Sequence, residues 1–235
     1  MKKGDLFYSF HSGKYWVAKI LEIDRSVPPR PPFVVYHCLA YAGIDQKPTP
    51  EVVPNLLPEI MHVPIDGDSI ERDCTFLTSS EVVSEELVGF HTYLKMTDFS
   101  RYLRETGQTV EQVVATAQAA YRRGIEHHDA KRFAEAVAAC SEAAEEFPLF
   151  FEAIDNKGLT LMDLARFEEA IPEFQQSLAV NPDGPTAFFS IGECHLRLGR
   201  LEEAEKVFQE FVQRWPDQQI GREFLARTRT LLGRQ

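Results

Sequence analysis

A histidine next to a cysteine is the first pair in the chain that could do chemistry. His37 and Cys38 are adjacent, and a thiol activated by an imidazole base is a common arrangement of cysteine nucleophiles. Both residues lie in the apolar run 33–42, which predicts a strand. Because neighbouring residues of a strand point to opposite faces of the sheet, we expect the two side chains not to act together.

Two further groups of residues could bind metal ions. His127 and His128 are adjacent in a predicted helix, where they point about 100° apart and do not easily share an ion. The acidic residues around Gly67, from Asp66 to Asp73, resemble a calcium loop. The glycine and the closing glutamate are not where an EF-hand loop needs them. This segment therefore predicts a hairpin turn with acidic flanks.

The remaining chemical signals argue against catalysis. The four cysteines are far apart and form no C-x-x-C pair, so we expect neither disulfide bonds nor a zinc site. The sequence contains no phosphate-binding glycine loop, no G-x-S-x-G and no H-E-x-x-H. We predict a protein that is not an enzyme and that has no catalytic residues, metal or cofactor.

Composition limits the class of partner. The 235 residues carry a net charge of −11, and both halves of the chain are acidic. This charge argues against nucleic acid, because phosphate contacts need clustered lysine and arginine. No stretch approaches the roughly 20 apolar residues of a membrane span, and the N-terminus has no apolar run of signal-peptide length. We expect a cytoplasmic protein that binds neither nucleic acid nor membranes.

The second half of the chain repeats itself with a period of 34 residues, which is typical of helical repeat architectures. A glycine inside a helix costs about 1 kcal/mol relative to alanine, so a repeated glycine predicts close approach of a partner helix. Repeated prolines predict where each second helix ends. The columns are Gly124, Gly158 and Gly192; Arg132, Arg166 and Arg200; Phe133, Phe167 and Leu201; Glu135, Glu169 and Glu203; Ala136, Ala170 and Ala204; and Pro148, Pro182 and Pro216.

These columns resemble the tetratricopeptide repeat over residues 117–233. The resemblance implies stacked helix–turn–helix units at 117–150, 151–184 and 185–218, followed by a capping helix at 219–233. His127 and His195 occupy a column that usually holds an aromatic packing residue in this family. We expect both to pack between helices.

Residues 1–96 predict a small β-rich domain, and residues 97–116 a connecting helix or linker. The opening hairpin is similar in style to small SH3-like barrels, including those of some bacterial toxin-immunity proteins. The connecting segment predicts a short helix stopped at Gly107 and then a capping box at Thr109 and Gln112. The predicted strands lie at residues 6–10, 15–23, 33–42, 61–65, 74–78 and 87–96.

The predicted fold class is therefore α+β. A small antiparallel, barrel-like β-rich domain precedes an all-α solenoid of three helix pairs and a capping helix. Within the first domain, the segment Pro28-Pro29-Arg30-Pro31-Pro32 predicts an extended loop, with a polyproline ligand for another module as the alternative. Its aromatic residues predict core packing, with a cage for a methylated cation as the alternative. These aromatic residues are Tyr8, Tyr15, Trp16, Tyr36 and Tyr41.

In the tetratricopeptide family the first helix of each pair lines a concave groove that holds peptides. The resemblance implies groove positions at Tyr121, Arg122, Ile125, His128 and Asp129 in the first repeat, Glu152, Asp155, Asn156, Leu159 and Asp163 in the second, and Thr186, Phe189, Ser190, Glu193 and Arg197 in the third. Five carboxylates face two arginines, with Tyr121 and Phe189 as aromatic anchors. A basic or mixed apolar polypeptide segment is the expected ligand.

One ligand type can be tested against these positions. Cochaperone members of the family hold a C-terminal carboxylate with a clamp of lysine, asparagine and arginine. The matching positions here are Tyr121, Ile125, Asn156, Thr186 and Ser190, and only Asn156 fits. We expect chaperone tails not to bind in this way.

The prediction for the whole chain is a non-catalytic protein-interaction module. In the alternative, the β domain binds a small molecule or a modified residue, or acts as a weak enzyme, and the repeats position it.

Overall fold

A computed structural model describes residues 1–26 and 31–234. The chain divides into two compact units, Met1–Gly107 and Gln108–Gln235. We refer to them as the sheet unit and the helical unit. The polyproline alternative concerns a segment, 28–32, that lies mostly outside the described residues.

The sheet unit is built on a five-stranded antiparallel sheet with the strand order β4-β3-β2-β1-β5. β1 and β2 form a hairpin whose turn residues, Ser12 and Gly13, both have positive φ. This sheet confirms the predicted β-rich architecture. The strands are β1 (Asp5–His11), β2 (Lys14–Arg25), β3 (Val34–Tyr41), β4 (Pro58–Asp66) and β5 (Thr75–Ser79).

Strand β3 is buried on both faces, as its uninterrupted apolar run predicts. Tyr36 and Cys38 belong to the cluster that packs against α1 (Gly67–Asp73). His37 lies on the other face, where its ring contacts α2 (Val88–Thr97). The prediction that His37 and Cys38 point to opposite faces is thus confirmed.

The predicted last strand at 87–96 is wrong, because these residues form most of α2. Phe90 and Leu94, one helical turn apart, are both buried. Gly89 allows the helix to lie against β4, since a Cβ placed there would come within 2.5 Å of the Met61 carbonyl oxygen. This packing overrides the β-branched and aromatic composition that favours a strand.

The predicted hairpin turn around Gly67 is also wrong, because α1 begins there. Asp66 ends β4, and its carboxylate accepts a hydrogen bond from the Ser69 N–H at 3.3 Å. An aspartate in this position caps the first turn of a helix. Gly67 lies close to the sheet, since a Cβ placed on it would be 2.9 Å from the Val34 Cβ.

Short helical segments complete the sheet unit. Two 3₁₀ turns span Pro50–Asn55 and Ser84–Leu87. α3 (Phe99–Thr106) begins at Asp98, whose carboxylate accepts a hydrogen bond from the Arg101 N–H at 2.9 Å. It ends at Gly107, with φ 69°. The predicted short helix stopped at Gly107 is confirmed.

The helical unit consists of three helix pairs and a final helix, as predicted. Its first helix begins with the predicted capping box: the Thr109 hydroxyl accepts from the Gln112 N–H at 3.3 Å, and the Gln112 side chain accepts from the Thr109 N–H at 2.9 Å. The helices are α4 (Val110–Asp129), α5 (Phe133–Glu146), α6 (Phe151–Asp163), α7 (Phe167–Val180), α8 (Pro185–Arg197), α9 (Leu201–Arg214) and α10 (Gln219–Leu231).

The repeated glycines do lie where the two helices of each pair approach most closely. A Cβ placed on any of them would come within 3 Å of a side chain on the second helix, and those side chains are themselves 34 residues apart. The distances are 2.6 Å from Gly124 to Cys140, 2.7 Å from Gly158 to Phe174, and 2.7 Å from Gly192 to Phe208. The predicted packing reason for the glycines is confirmed.

Each helix pair turns through a residue with left-handed backbone conformation. The three left-handed turn residues are Lys131, Ala165 and Gly199, with φ 56°, 57° and 74°. In each case the following N–H bonds to a carbonyl five residues back; Arg166, for example, donates to Leu161 at 2.9 Å. This is a Schellman-type helix end, in which glycine usually occupies the left-handed position.

α10 covers the open end of the last pair. The Phe224 ring lies 4.9 Å from the Phe189 ring and 5.5 Å from the Phe208 ring, between centroids. The buried Glu205 carboxylate of α9 accepts from Arg229 of α10 at 2.9 Å and also pairs with Arg234. Within the described ranges, no helix is both long enough and apolar enough to cross a membrane.

Candidate functional site

The predicted groove positions lie on α4, α6 and α8, the first helices of the three pairs. A polar contact among them joins the first two repeats. The Asn156 amide donates to the Tyr121 hydroxyl at 2.9 Å and to the Glu152 carbonyl at 2.8 Å. The Tyr121 ring packs 5.0 Å from the Phe150 ring. This contact fixes the orientation of the Asn156 side chain.

A second contact joins the far ends of the same two helices. His128 Nε2 lies 2.7 Å from Asp163 Oδ2, so α4 and α6 are bridged there as well. Arg122, Ile125 and Asp129 are exposed.

The third repeat borders a cavity of about 450 Å³. Its only charged lining residue is Glu193, whose carboxylate pairs with Arg197 at 3.2 Å. The lining combines predicted groove positions with the start of α10. The lining residues are Leu159, Pro185, Thr186, Phe189, Ser190, Glu193, Gln218 and Ile220.

Phe189 lines the cavity and also packs in the core of the last helix pair. Its ring contacts Phe208, Phe211 and Phe224 at centroid distances of 5.5, 5.4 and 4.9 Å. Ser190 beside it is 4% exposed. Truncating Phe189 would therefore disturb the last helix pair, so Phe189→Ala is a poor probe of ligand contact.

Asp155 is an ionisable groove position whose environment disfavours its charged form. Its Oδ1 atom is buried and has no hydrogen-bond partner within the described residues. Burial raises the pKa of Asp155, a hydrogen bond from Ser177 opposes that shift, and the neighbouring Glu152 charge adds to it. A half-buried carboxylate beside a second negative charge is an unfavourable arrangement, and a positive ligand group would relieve it.

The sheet unit contains a polar network that the sequence did not predict. His37 Nε2 lies 3.1 Å from Asp24 Oδ2, and His37 Nδ1 lies 2.9 Å from His62 Nε2. Arg101 Nη1 donates to both Asp24 oxygens, at 2.8 and 2.9 Å. The rings of Tyr93 and His62 pack at 4.5 Å. The network joins β2, β3, β4, α2 and α3.

The ionised Asp24 carboxylate anchors this network as a hydrogen-bond acceptor. Burial opposes ionisation of Asp24, but hydrogen bonds from Arg101 and His37 hold its pKa below the ordinary value. The carboxylate is thus an acceptor, so His37 donates to it from Nε2. The direction of the hydrogen bond between His37 Nδ1 and His62 Nε2 is set by the tautomers of the two rings. Burial, and then the His37 ring, lower the pKa of His62 to about 4. His37 is satisfied on both nitrogens, and we assign this network a structural role.

Asp24, His37, His62 and Arg101 come from separate elements of the chain, so no sequence motif predicts that they meet. A signal was nevertheless available: a histidine within an apolar strand is buried, and buried polar groups need partners. That argument predicts that His37 has a partner without identifying His62 or Asp24.

The other candidate ligands stay separate. His127 and His195 are half-buried, and the Nδ1 atom of each is buried without a partner in the described part of the chain. No group of three histidine, cysteine or acidic side chains in the described residues could hold a metal ion. All four cysteines are free thiols.

Comparison with known families identifies the helical repeats. The tetratricopeptide repeat family matches residues 156–218, which run from within α6 to the residue before α10. The predicted tetratricopeptide repeats are confirmed over this part of the chain. No curated protein sequence matches the chain.

Solved structures resemble about half of the chain. The tetratricopeptide domain of Arabidopsis OM64 is 17% identical with a TM-score of 0.47, over 50% of this chain and 98% of that one. The first such domain of Spaghetti (RPAP3), solved with HSP90 peptide SRMEEVD, is 18% identical with a TM-score of 0.49, over 51% and 95%. MamA from Desulfovibrio magneticus RS-1 is 17% identical with a TM-score of 0.47, over 61% and 84%.

Proposed function

We propose that the helical unit binds a polypeptide segment along α4, α6 and α8, and that this segment carries basic and apolar side chains. Tetratricopeptide repeats are interaction modules, which supports the general class of function. The finer statement about ligand chemistry depends on the side chains of this chain.

The observation that carries the proposal is the 450 Å³ cavity beside α6, α8 and the start of α10. Leu159, Phe189 and Ile220 supply its apolar surface, and Glu193 supplies its charge. A cavity of this size holds one apolar side chain of an extended peptide with room for its backbone. A basic residue next to that side chain would meet Glu193.

The carboxylates of the second repeat favour a basic neighbour. Asp155 is half-buried near the Glu152 charge, which contributes to its raised pKa. A lysine or arginine from a ligand would stabilise the ionised form of Asp155, as an opposite charge within a few ångströms does. Charge complementarity of this kind selects partners and speeds their encounter.

The same positions disfavour a free C-terminal carboxylate as the ligand. Tyr121, Ile125, Thr186 and Ser190 stand where the carboxylate clamp of cochaperones needs cations or amides, and none of them is positively charged. Ser190 is also buried. We therefore propose that the segment bound is internal to its own chain.

Selection from a random heptapeptide library on the full-length protein tests the ligand chemistry. We expect selected peptides to combine lysine or arginine with a large apolar residue. Amidating the C-terminus of a selected peptide should leave its affinity unchanged. Enrichment of acidic peptides, or a loss of affinity on amidation, would contradict the proposal.

Two matched pairs of variants locate the site by calorimetry with a selected peptide. Glu152→Gln should weaken binding about fivefold, the effect of roughly 1 kcal/mol, whereas Glu145→Gln on α5 should leave it within about twofold. Ile220→Arg, in the exposed cavity lining, should weaken binding more than about tenfold. Leu231→Arg, on the same helix but outside the lining, is its control. Equal effects within either pair would exclude the groove as the site.

A further inference from the structure

A cavity in the sheet unit has no role in the proposed function. Its volume is about 580 Å³, within the range of roughly 300 to 1,000 Å³ typical of small-molecule sites. We call it the hairpin cavity. Its lining residues are Phe7, Ser9, Phe10, His11, Trp16, Val17, Ala18, Ala40, Tyr41, Ile65, Ser69, Ile70, Asp73 and Cys74.

The strand register explains why the cavity exists. Phe7, Ala18 and Ala40 are paired side by side on β1, β2 and β3, so two alanines leave a shallow area on the sheet. α1 has only seven residues, which is about 10 Å of helix. It covers Tyr36 but leaves the hairpin end of the same face uncovered.

Aromatic rings form the wall at the hairpin end. The Trp16 and His11 rings are stacked, with centroids 5.3 Å apart and an angle of 5° between their planes. The indole Nε1 donates to the His11 carbonyl at 3.4 Å, which fixes the orientation of the Trp16 ring. Phe10 borders the same cavity, but its ring packs against Tyr15 with centroids 4.7 Å apart. Ring faces such as that of Trp16 attract cations.

Charge in the lining has one sign. The lining residues, all of which the structure describes, include Asp73 and no lysine or arginine. Burial, and then the Asp73 charge, raise the pKa of the Cys74 thiol, so sulfur adds no second negative charge at neutral pH. Aromatic faces with a single carboxylate match a positive group on an apolar body.

The aromatic residues of the predicted core divide between the two faces. Tyr36 and Tyr41 are buried. Tyr8 packs edge to face against Tyr15 at 5.9 Å, and Lys47 Nζ lies 5.9 Å above the Tyr8 ring. Tyr8 and Tyr15 do not line the hairpin cavity. The chain's own Lys47 therefore contacts a different set of rings.

We propose that the hairpin cavity binds a small organic cation, an alkylammonium group carried on an apolar body. The ammonium group lies against Trp16 and near Asp73, and the apolar body lies over Ala18 and Ala40. This activity is separate from peptide binding by the helical unit.

Trp16 fluorescence provides the test. The chain has two tryptophans, so Trp215→Phe in the helical unit leaves Trp16 as the single fluorophore. We expect saturable quenching by benzyltrimethylammonium, with an affinity at least tenfold higher than that of benzyl alcohol. Ligand-detected NMR with the unmodified chain gives the same comparison if Trp215→Phe does not fold.

Matched variants on α1 test whether the Asp73 carboxylate acts on the ligand directly or only through the overall negative charge of the protein. Asp73→Asn should weaken benzyltrimethylammonium binding at least fivefold, and Asp68→Asn, on the same helix but outside the lining, should leave it within twofold. Ala40→Leu should abolish binding by filling the cavity. Equal affinity for the cation and the alcohol, equal effects of the two aspartate variants, or no saturable binding would each overturn the proposal.

A peptide carrying trimethyllysine, compared with its unmodified twin, identifies the source of the cation. Tighter binding of the modified peptide than of benzyltrimethylammonium supports the proposal with a protein side chain as the source. Weaker binding supports it with a free small molecule.

Discussion

The surroundings of Asp155 disfavour the ionised form of its carboxyl group. Its Oδ1 atom is buried without a hydrogen-bond partner in the described residues, and burial and then the Glu152 charge raise its pKa. Natural proteins accept such local destabilisation where function needs it. This residue therefore connects the stability of the helical unit to its proposed ligand.

Replacing Asp155 by asparagine should stabilise the helical unit at pH 7. Because the folded pKa lies above the ordinary value of 3.8, ionisation disfavours the folded state as pH rises through that pKa. We expect a gain of up to about 1 kcal/mol after solvent screening, measured by urea unfolding. The gain should be smaller at pH 4.5 than at pH 7.

Asp129→Asn is the matched control, since Asp129 is an exposed groove position. Its effect should stay within about 0.5 kcal/mol. A gain from Asp155→Asn that is independent of pH would contradict the assignment.

His62 should make the sheet unit sensitive to mild acid. Its folded pKa of about 4 lies below the ordinary 6.5, so the unfolded chain takes up the proton first. Stability is fully present above about pH 6.5 and is lost as pH falls towards 4. Unfolding followed by Trp16 fluorescence in the Trp215→Phe background measures this slope.

His62→Gln should reduce the slope between pH 6.5 and 4. It should not remove the slope, because burial also lowers the pKa of His91. The nearby Glu105 charge acts in the opposite direction and raises that pKa. An unchanged slope in the variant would show that the His37–His62 contact does not control the acid response.

At the scale of elements, the turns within the three helix pairs have the same left-handed backbone conformation although the residue type at that position differs. Lys131, Ala165 and Gly199 occupy equivalent turns with similar positive φ. A non-glycine residue in this conformation is strained by roughly 1 kcal/mol, since its Cβ crowds the backbone. The first two turns carry that strain and the third does not.

Ala165→Gly should therefore stabilise the helical unit. The relief of backbone strain exceeds the added flexibility of the unfolded chain, and we expect a net gain of roughly 0.5 kcal/mol. Thermal unfolding followed at Trp215 measures it. Gly199→Ala is the inverse change and should lower stability by about 1 kcal/mol; a loss in both variants would contradict the argument.

The repeated helices, the sheet and the short helix α3 are predictable from the sequence, whereas α1 and α2 are decided by tertiary packing. The Gly158 column predicted its close helix contact because the same residue type returns in every period. The left-handed turns could not be found in this way, since lysine, alanine and glycine share no signal. α2 was misassigned because its composition favours a strand, while its contact through Gly89 is visible only in the folded chain.

The same contrast applies to the sites. The resemblance supplied groove positions from the repeat period, but the packing of Phe189 against Phe224 depends on where the capping helix lies. The hairpin cavity depends on the short length of α1 and on the pairing of two alanines. Neither feature has a sequence motif.

For the whole molecule, the dominant physical property is its net charge of −11. A surface potential of one sign steers oppositely charged ligands and is screened by salt. The proposed basic ligand should therefore associate with a rate that depends strongly on ionic strength.

Raising sodium chloride from about 50 to about 500 mM should slow association of a selected basic peptide about tenfold, with a smaller change in dissociation. Stopped-flow fluorescence with a labelled peptide and the full-length protein measures both rates. A peptide of the same length without charge should show little change. Salt dependence carried mainly by dissociation would argue against long-range steering.

Cys74 places a thiol that can be chemically labelled in the lining of the hairpin cavity. Three thiols, Cys38, Cys140 and Cys194, are buried, with pKa values raised by burial to about 12, 11 and 12. Cys74 is half-buried and lines the cavity. A maleimide reagent should therefore alkylate Cys74 first, and a molecule already seated in the cavity should shield it. The rate of alkylation at this one sulfur then reports occupancy directly, even in a mixture whose components are not known.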